Sequence, residues 1–136
     1  LSMEAKTALY AIGEVMECSV GDILIEADAP NANLFVLLEG AFKVYLPQRP
    51  GRKAGVTLGH RGPGDVLGEY SFIDDFVPTA RVTASTPADV LRIPHSGLRD
   101  FLASDDASSA TVYRNLLSYL VVRLRSQDEE IDCLMF

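Results

Sequence analysis

From Val15 to Ile93 short apolar runs alternate with turn residues so closely that a helix of ordinary length has no room. Eight runs rich in Val, Ile, Leu and Phe occupy this stretch: Val15 to Cys18, Ile23 to Glu26, Leu34 to Leu38, Ala41 to Leu46, Gly55 to Leu58, Val66-Leu67, Arg81 to Ala84 and Asp89 to Ile93. Val20-Gly21-Asp22, Ala29-Pro30-Asn31, Glu39-Gly40, Pro47 to Gly51, Arg61 to Asp65 and Ser85-Thr86-Pro87 separate them. β-Branched and aromatic residues suit a pleated, half-buried surface, while Gly, Pro, Asn and Asp supply the corners. Seven or eight such strands at roughly ten-residue spacing predict a sandwich, jelly roll or barrel.

Helix signals lie outside this stretch. Met3 to Ile12 is rich in Ala, Leu, Glu and Lys and predicts a short helix ending near Gly13. After Pro94, Ser96 is the expected N-cap of a short helix carrying Leu98, Phe101 and Leu102. A longer helix is expected from Ser109 to Cys133, with Tyr113, Leu116, Leu117, Leu120, Val121, Leu124 and Ile131 forming one apolar stripe. Such a stripe either packs on the β domain or pairs with its copy in a homodimer. The expected division is one domain, 1–136: a helical segment over 1–13, the β portion over 14–94 and C-terminal helices over 95–136.

Charge and composition bound the function. The chain has 19 acidic against 12 basic side chains, a net −7, which disfavours nucleic acid as a partner of this domain alone. A local basic pocket for a single phosphate remains compatible with it. No apolar run is long enough to span a bilayer, and the two cysteines, Cys18 and Cys133, make neither a disulfide framework nor a metal site. A cytoplasmic setting and no membrane partner follow as expectations. His60 and His95 lie thirty-five residues apart, so paired-histidine metal chemistry is not expected, and both read as surface or strand-end residues. No Gly-x-Ser-x-Gly elbow or phosphate-binding glycine motif of the nucleotide-hydrolase type is present, and the chain reads as non-enzymatic, with no catalytic residue, metal or cofactor.

One segment stands apart: Gly62-Pro63-Gly64-Asp65-Val66-Leu67-Gly68-Glu69-Tyr70-Ser71-Phe72-Ile73, and, further on, Pro78-Thr79-Ala80-Arg81-Val82-Thr83-Ala84. A strand end runs into a short helical turn and then into another strand. The turn is expected to offer the backbone N–H groups of Tyr70 to Phe72 to an anion, and Glu69 to accept from a sugar hydroxyl or simply be exposed.

This segment resembles the phosphate-binding cassette of cyclic nucleotide-binding domains, the β-roll modules of catabolite activator-type regulators, kinase regulatory subunits and gated channels. The family's Gly-Glu falls on Gly68-Glu69 and its closing Val-x-Ala on Val82-Thr83-Ala84. Gly21, Glu26-Ala27-Asp28, Leu34 to Leu37, Glu39-Gly40, Leu58 to Gly64 and Asp89 to Ile93 follow the family's upstream and downstream pattern in order. The resemblance covers about Ile12 to Asp132 and implies a mainly β fold with flanking helices, a double-stranded β-helix or jelly roll. It also implies a non-catalytic regulatory module that binds cyclic AMP or cyclic GMP at Gly68, Glu69, Tyr70, Ser71, Pro78, Thr79, Ala80 and Arg81 and passes the change through the C-terminal helix. Leu117, Leu120, Val121 and Leu124 are its base-capping candidates.

The chain departs from the pattern at one position. In gapless register the family's phosphate-binding Arg falls on Pro78 and its Pro on Val77. A guanidinium pairs with a phosphate through charge-assisted hydrogen bonds that proline cannot make. Losing such a pair costs about 2–5 kcal/mol, roughly thirty-fold to several thousand-fold in affinity. Arg81 is the nearest replacement, but a three-residue step along a strand puts it on the face opposite Pro78. The alternative reading is therefore a degenerate β-roll serving as a dimerisation or interaction scaffold.

Overall fold

The computed structural model describes residues 11–48, 50, 54–74, 77–104, 106–107 and 109–115, apart from the side chains of Tyr70 and Asp74. Among the described residues from Glu14 to Ser104 the elements are β1 (Glu14–Cys18), β2 (Ile23–Ile25), β3 (Asn33–Glu39), β4 (Phe42–Leu46), β5 (Val56–Arg61), β6 (Val66–Leu67), α1 (Glu69–Asp74), β7 (Arg81–Ala84), β8 (Ala88–Pro94) and α2 (His95–Ser104). All eight expected strands are present. The largest boundary shift is at β5, which runs on through Gly59 to Arg61, where the sequence pattern placed its end at Leu58. A register slip opposite Val44 and Tyr45 accommodates the extra residue, and Gly59, at φ +153°, supplies the backbone freedom that the bulge requires.

The strands form two four-stranded antiparallel sheets, ordered β1-β8-β3-β6 and β2-β7-β4-β5. The chain crosses between them after β1, β2, β3, β5, β6 and β7, which makes the structure a jelly roll. Alternation along each strand then decides what each layer holds. Phe35, Leu37, Leu67, Ala88 and Val90 from the first sheet meet Ile25, Phe42, Val44, Val82 and Ala84 from the second in the central core.

The first sheet is apolar on its outer face too. Leu34, Leu91 and Ile93 pack there with Phe72 of α1 and with Leu98 and Leu102 of α2. This burial on both faces explains the almost continuous apolar composition of β3 and β8. The outer face of the second sheet is mainly polar: the exposed Ile23 is followed by Thr83, Lys43 and His60 in one cross-strand row, and Arg81, Tyr45 and Thr57 stand in the next.

Both flanks of the β portion are described in part. Ala11 and Ile12 are helical, and helix also covers 106–107 and 109–115. The remainder of the expected N-terminal helix and of the Ser109 to Cys133 helix, with its stripe from Leu116 onward, lies outside the described residues, and so does any dimer contact made there. The expected N-cap is corrected: α2 begins at His95, one residue before Ser96. Pro94 still pairs with Asn33 in the sheet, and the His95 N–H donates to the Ala32 carbonyl at 2.8 Å. The helix therefore starts directly off the strand, and Ser96 sits within its first turn. No described helix is long and apolar enough to cross a membrane.

Candidate functional site

The turn from β6 into α1 is set by Gly68. Its φ of +86° lies in the left-handed region, and a Cβ there would come within 2.3 Å of the Asn33 carbonyl oxygen. Both conditions select glycine. Asn31 closes on the same corner: its Nδ2 donates to the Asn33 carbonyl at 2.8 Å and would itself lie 2.9 Å from that Cβ. Gly68 therefore rests on the loop between β2 and β3.

Residues immediately after this corner are withdrawn from solvent. Glu69 is 6% exposed and Ser71 5%. The alternative of an exposed Glu69 is thus corrected. A carboxylate at the first position of a helix is favoured by the local amide dipoles, and a carboxylate this buried is uncommon. Of the amides expected to face an anion, one is engaged: Phe72 N–H donates to the Gly68 carbonyl at 3.3 Å.

The other half of the segment, from Pro78 onward, is held by the same β2–β3 loop. Asp28, itself at φ +61°, donates its N–H to the Pro78 carbonyl at 2.7 Å. Two residues earlier, Glu26 accepts from Arg81, with Oε1 2.7 Å from Nε. The segment from Glu26 to Asn33, which is the β2–β3 loop and the first residue of β3, thereby joins Gly68 to Pro78 and Arg81. Thr79 is exposed, and Ala80 is partly buried against the central core.

Arg81 alternates with the buried Val82, so its side chain belongs to the outer row of the second sheet, across from Tyr45. The three-residue step expected along a strand does not apply, because β7 begins at Arg81 and Pro78 lies before it. Its guanidinium is committed to Glu26, and that hydrogen bond, followed by one from the Ala27 amide, holds the Glu26 carboxyl below the ordinary carboxylate range.

The histidines divide. His60 is exposed in β5, as expected of a surface residue. His95 does sit at a strand end but is not a surface residue: it is 4% exposed, and its Nε2 lies 3.1 Å from the Gly68 carbonyl. The composition of the chain carries no hint of this, because the partner is twenty-seven residues away. Asn31, Glu26 and Arg99 were missed as site residues for the same reason. The one available signal was the Glu26-Ala27-Asp28 stretch, legible as a fold landmark and not as a contact to Arg81. Among the described residues no cluster of His, Cys, Asp and Glu is arranged to hold a metal ion.

Comparison with known proteins bears on the same segment. The chain is 28% identical over 134 residues to Glutaminase 2 of Bradyrhizobium diazoefficiens, an alignment covering 98% of this chain and 20% of the glutaminase. It thus spans about a fifth of the length of that curated relative. A cyclic nucleotide-binding domain from Methylobacillus flagellatus KT superposes with a TM-score of 0.86 at 25% identity, covering 93% of this chain and 70% of that one. The catabolite activator protein of Thermus thermophilus shares the fold, with a TM-score of 0.79 at 21% identity over 98% of this chain and 60% of that one. Residues 15–105, which contain both sheets but for Glu14, the Gly68 corner and α2, match the cyclic nucleotide-binding domain family, and the chain belongs to that family.

Proposed function

We propose that this chain is a regulatory, non-catalytic ligand-sensing module that binds a cyclic nucleotide, cyclic AMP or cyclic GMP, in the cassette 62–84 and passes occupancy to the C-terminal helices. The observation that carries this reading is the Gly68 corner. A backbone conformation that only glycine adopts comfortably presents a buried Glu69 and a buried Ser71 at the start of α1. Glu69 stands where the family resemblance places the acceptor of a ribose hydroxyl, and a carboxylate oxygen can take more than one donor. The amides of Tyr70 and Ser71 then face the phosphate.

The proline at position 78 sets the expected strength. Arg81 is held by Glu26 on the outer row, so the phosphate relies on backbone amides, the Ser71 hydroxyl and Thr79. Binding weaker than in members with the cassette arginine follows. The response would run from α1 to α2 through Phe72, which packs with Leu98 and Leu102. Dimer formation through the C-terminal helix and a cytoplasmic setting belong to the same reading.

Calorimetric titration with cyclic AMP and cyclic GMP tests it. Heat of binding and a raised melting temperature are expected in the millimolar to micromolar range, because a ligand of the folded state must stabilise it. No heat and no melting shift at millimolar nucleotide would sink the proposal. Pro78→Arg should raise affinity at least about tenfold by restoring a charge-assisted pair. An unchanged affinity in that variant would count against the cassette register.

A further inference from the structure

Helix α1 has six residues, too few to be stable alone or to satisfy its own end groups. Its placement must come from its contacts. Besides the apolar packing of Phe72, two side chains of α2 reach its backbone. His95 Nε2 lies 3.1 Å from the Gly68 carbonyl, and Arg99 donates from a terminal guanidinium nitrogen to the Phe72 carbonyl at 3.3 Å.

A carbonyl oxygen only accepts, so the His95 contact requires the proton on Nε2. The Gly68 carbonyl also receives the Phe72 N–H, so the His95 proton is the second on the first link of α1. The Phe72 carbonyl lies near the other end, where helix carbonyls lack partners of their own. His95 and Arg99 are four residues apart and share one face of α2. Both also border the Phe72 ring, at 5.4 Å for the imidazole centroid and 5.3 Å for the guanidinium carbon.

We infer that His95 and Arg99 are positioning residues forming a two-point polar latch, which fixes α1 to α2 in one register so that the two helices move as a unit. Apolar contact between Phe72 and the leucines of α2 would permit sliding, because hydrophobic attraction is not directional. Two hydrogen bonds to main-chain oxygens one turn apart do not. The inference deepens the proposed function: it rests on that reading for the meaning of the coupling, but the latch itself is a property of the unliganded chain.

Amide hydrogen exchange on the whole 136-residue chain separates the two. In the unliganded protein, His95→Phe retains an aromatic ring against Phe72 and removes the donor, and Arg99→Met retains a flexible stem and removes the guanidinium. Each should speed exchange in residues 70–74 by at least about tenfold while the Val90 and Leu91 amides of β8 hold their protection. His95→Gln, which can place a donor nitrogen near the position of Nε2, should restore most of the loss. Unchanged protection over 70–74 in both variants, or a loss that spreads equally to β8, overturns the latch.

A second arm adds cyclic AMP and then cyclic GMP at millimolar concentration. In the wild type nucleotide should change protection in both helices, and in the double variant only in α1. A response of α2 that survives the double variant also overturns the latch. If neither nucleotide binds the wild type, the proposed function fails, and the unliganded exchange result decides the latch by itself.

Discussion

The outer faces of the two sheets are built on opposite principles. On the first, Leu34, Leu91 and Ile93 stand on the strands and are sealed by Phe72, Leu98 and Leu102. On the second, Thr83, Lys43, His60, Arg81, Tyr45 and Thr57 stand on the strands, with the Lys43 ammonium 5.5 Å from the Tyr45 ring centre. Both faces come from strands of similar length in the same roll, yet one is a second core and the other is surface. Under the proposed function, the difference bears on where a signal would travel. A binding event that shifts α1 meets close-packed neighbours on the first face, whereas the second offers long polar side chains whose rearrangement costs little.

The largest expected consequence of this asymmetry is in stability. Leu98 is 1% exposed between α2 and the first sheet, and Leu98→Ala should cost about 2–5 kcal/mol, read from chemical denaturation. A loss below about 1 kcal/mol would break the comparison, since it would mean that the helical cover contributes no real core.

Next comes the corner that α1 hangs from. Gly68→Ala must adopt a left-handed backbone and push its Cβ toward the Asn33 carbonyl, so a loss of about 1–3 kcal/mol is expected. The same variant should weaken nucleotide binding if the proposed function is right. On the opposite face, Thr83→Ala should change stability by no more than about 0.5 kcal/mol. A larger effect would mean that the outer row of the second sheet is itself packed against something.

The smallest effect concerns the Glu26–Arg81 pair. Arg81 favours the charged carboxylate, so the folded-state Glu26 titrates below its ordinary range. The stabilisation it provides is present above the ordinary carboxylate pKa and is lost as the pH falls through the folded value. Arg81→Met should bring the Glu26 midpoint, followed by carboxyl-carbon NMR, back up toward the ordinary range. The pair is solvent-exposed, and neutral-pH stability should barely move. A Glu26 midpoint indifferent to this change would mean that Arg81 is not held by Glu26 in solution.

Much of the architecture was legible because its signals are local. Strand existence depends on alternation and turn residues within a few positions, and all eight strands were found this way. The glycine at the corner was legible for the same reason. The end of β5 was not, since a bulge depends on the partner strand and not on the residues of β5 alone. Nor was the start of α2, where the sheet's grip on Pro94 and His95 overrode the capping preference of Ser96. At the site, Gly68 and Glu69 could be picked out from their order along the chain. The burial of Glu69 and the occupation of the Phe72 amide could not.

By itself the sequence determined that this chain makes a β-roll with helical flanks, because each turn and each apolar run states its preference within its own few residues. It also determined that the position matching the family's phosphate-binding arginine carries a proline. Only the tertiary structure decided which partners the remaining polar groups take. It set Arg81 on Glu26 across fifty-five residues and His95 on the Gly68 carbonyl across twenty-seven. Such pairings arise when distant segments are brought together by the burial of apolar side chains, and a hydrogen bond between them leaves no trace in the residues beside either partner.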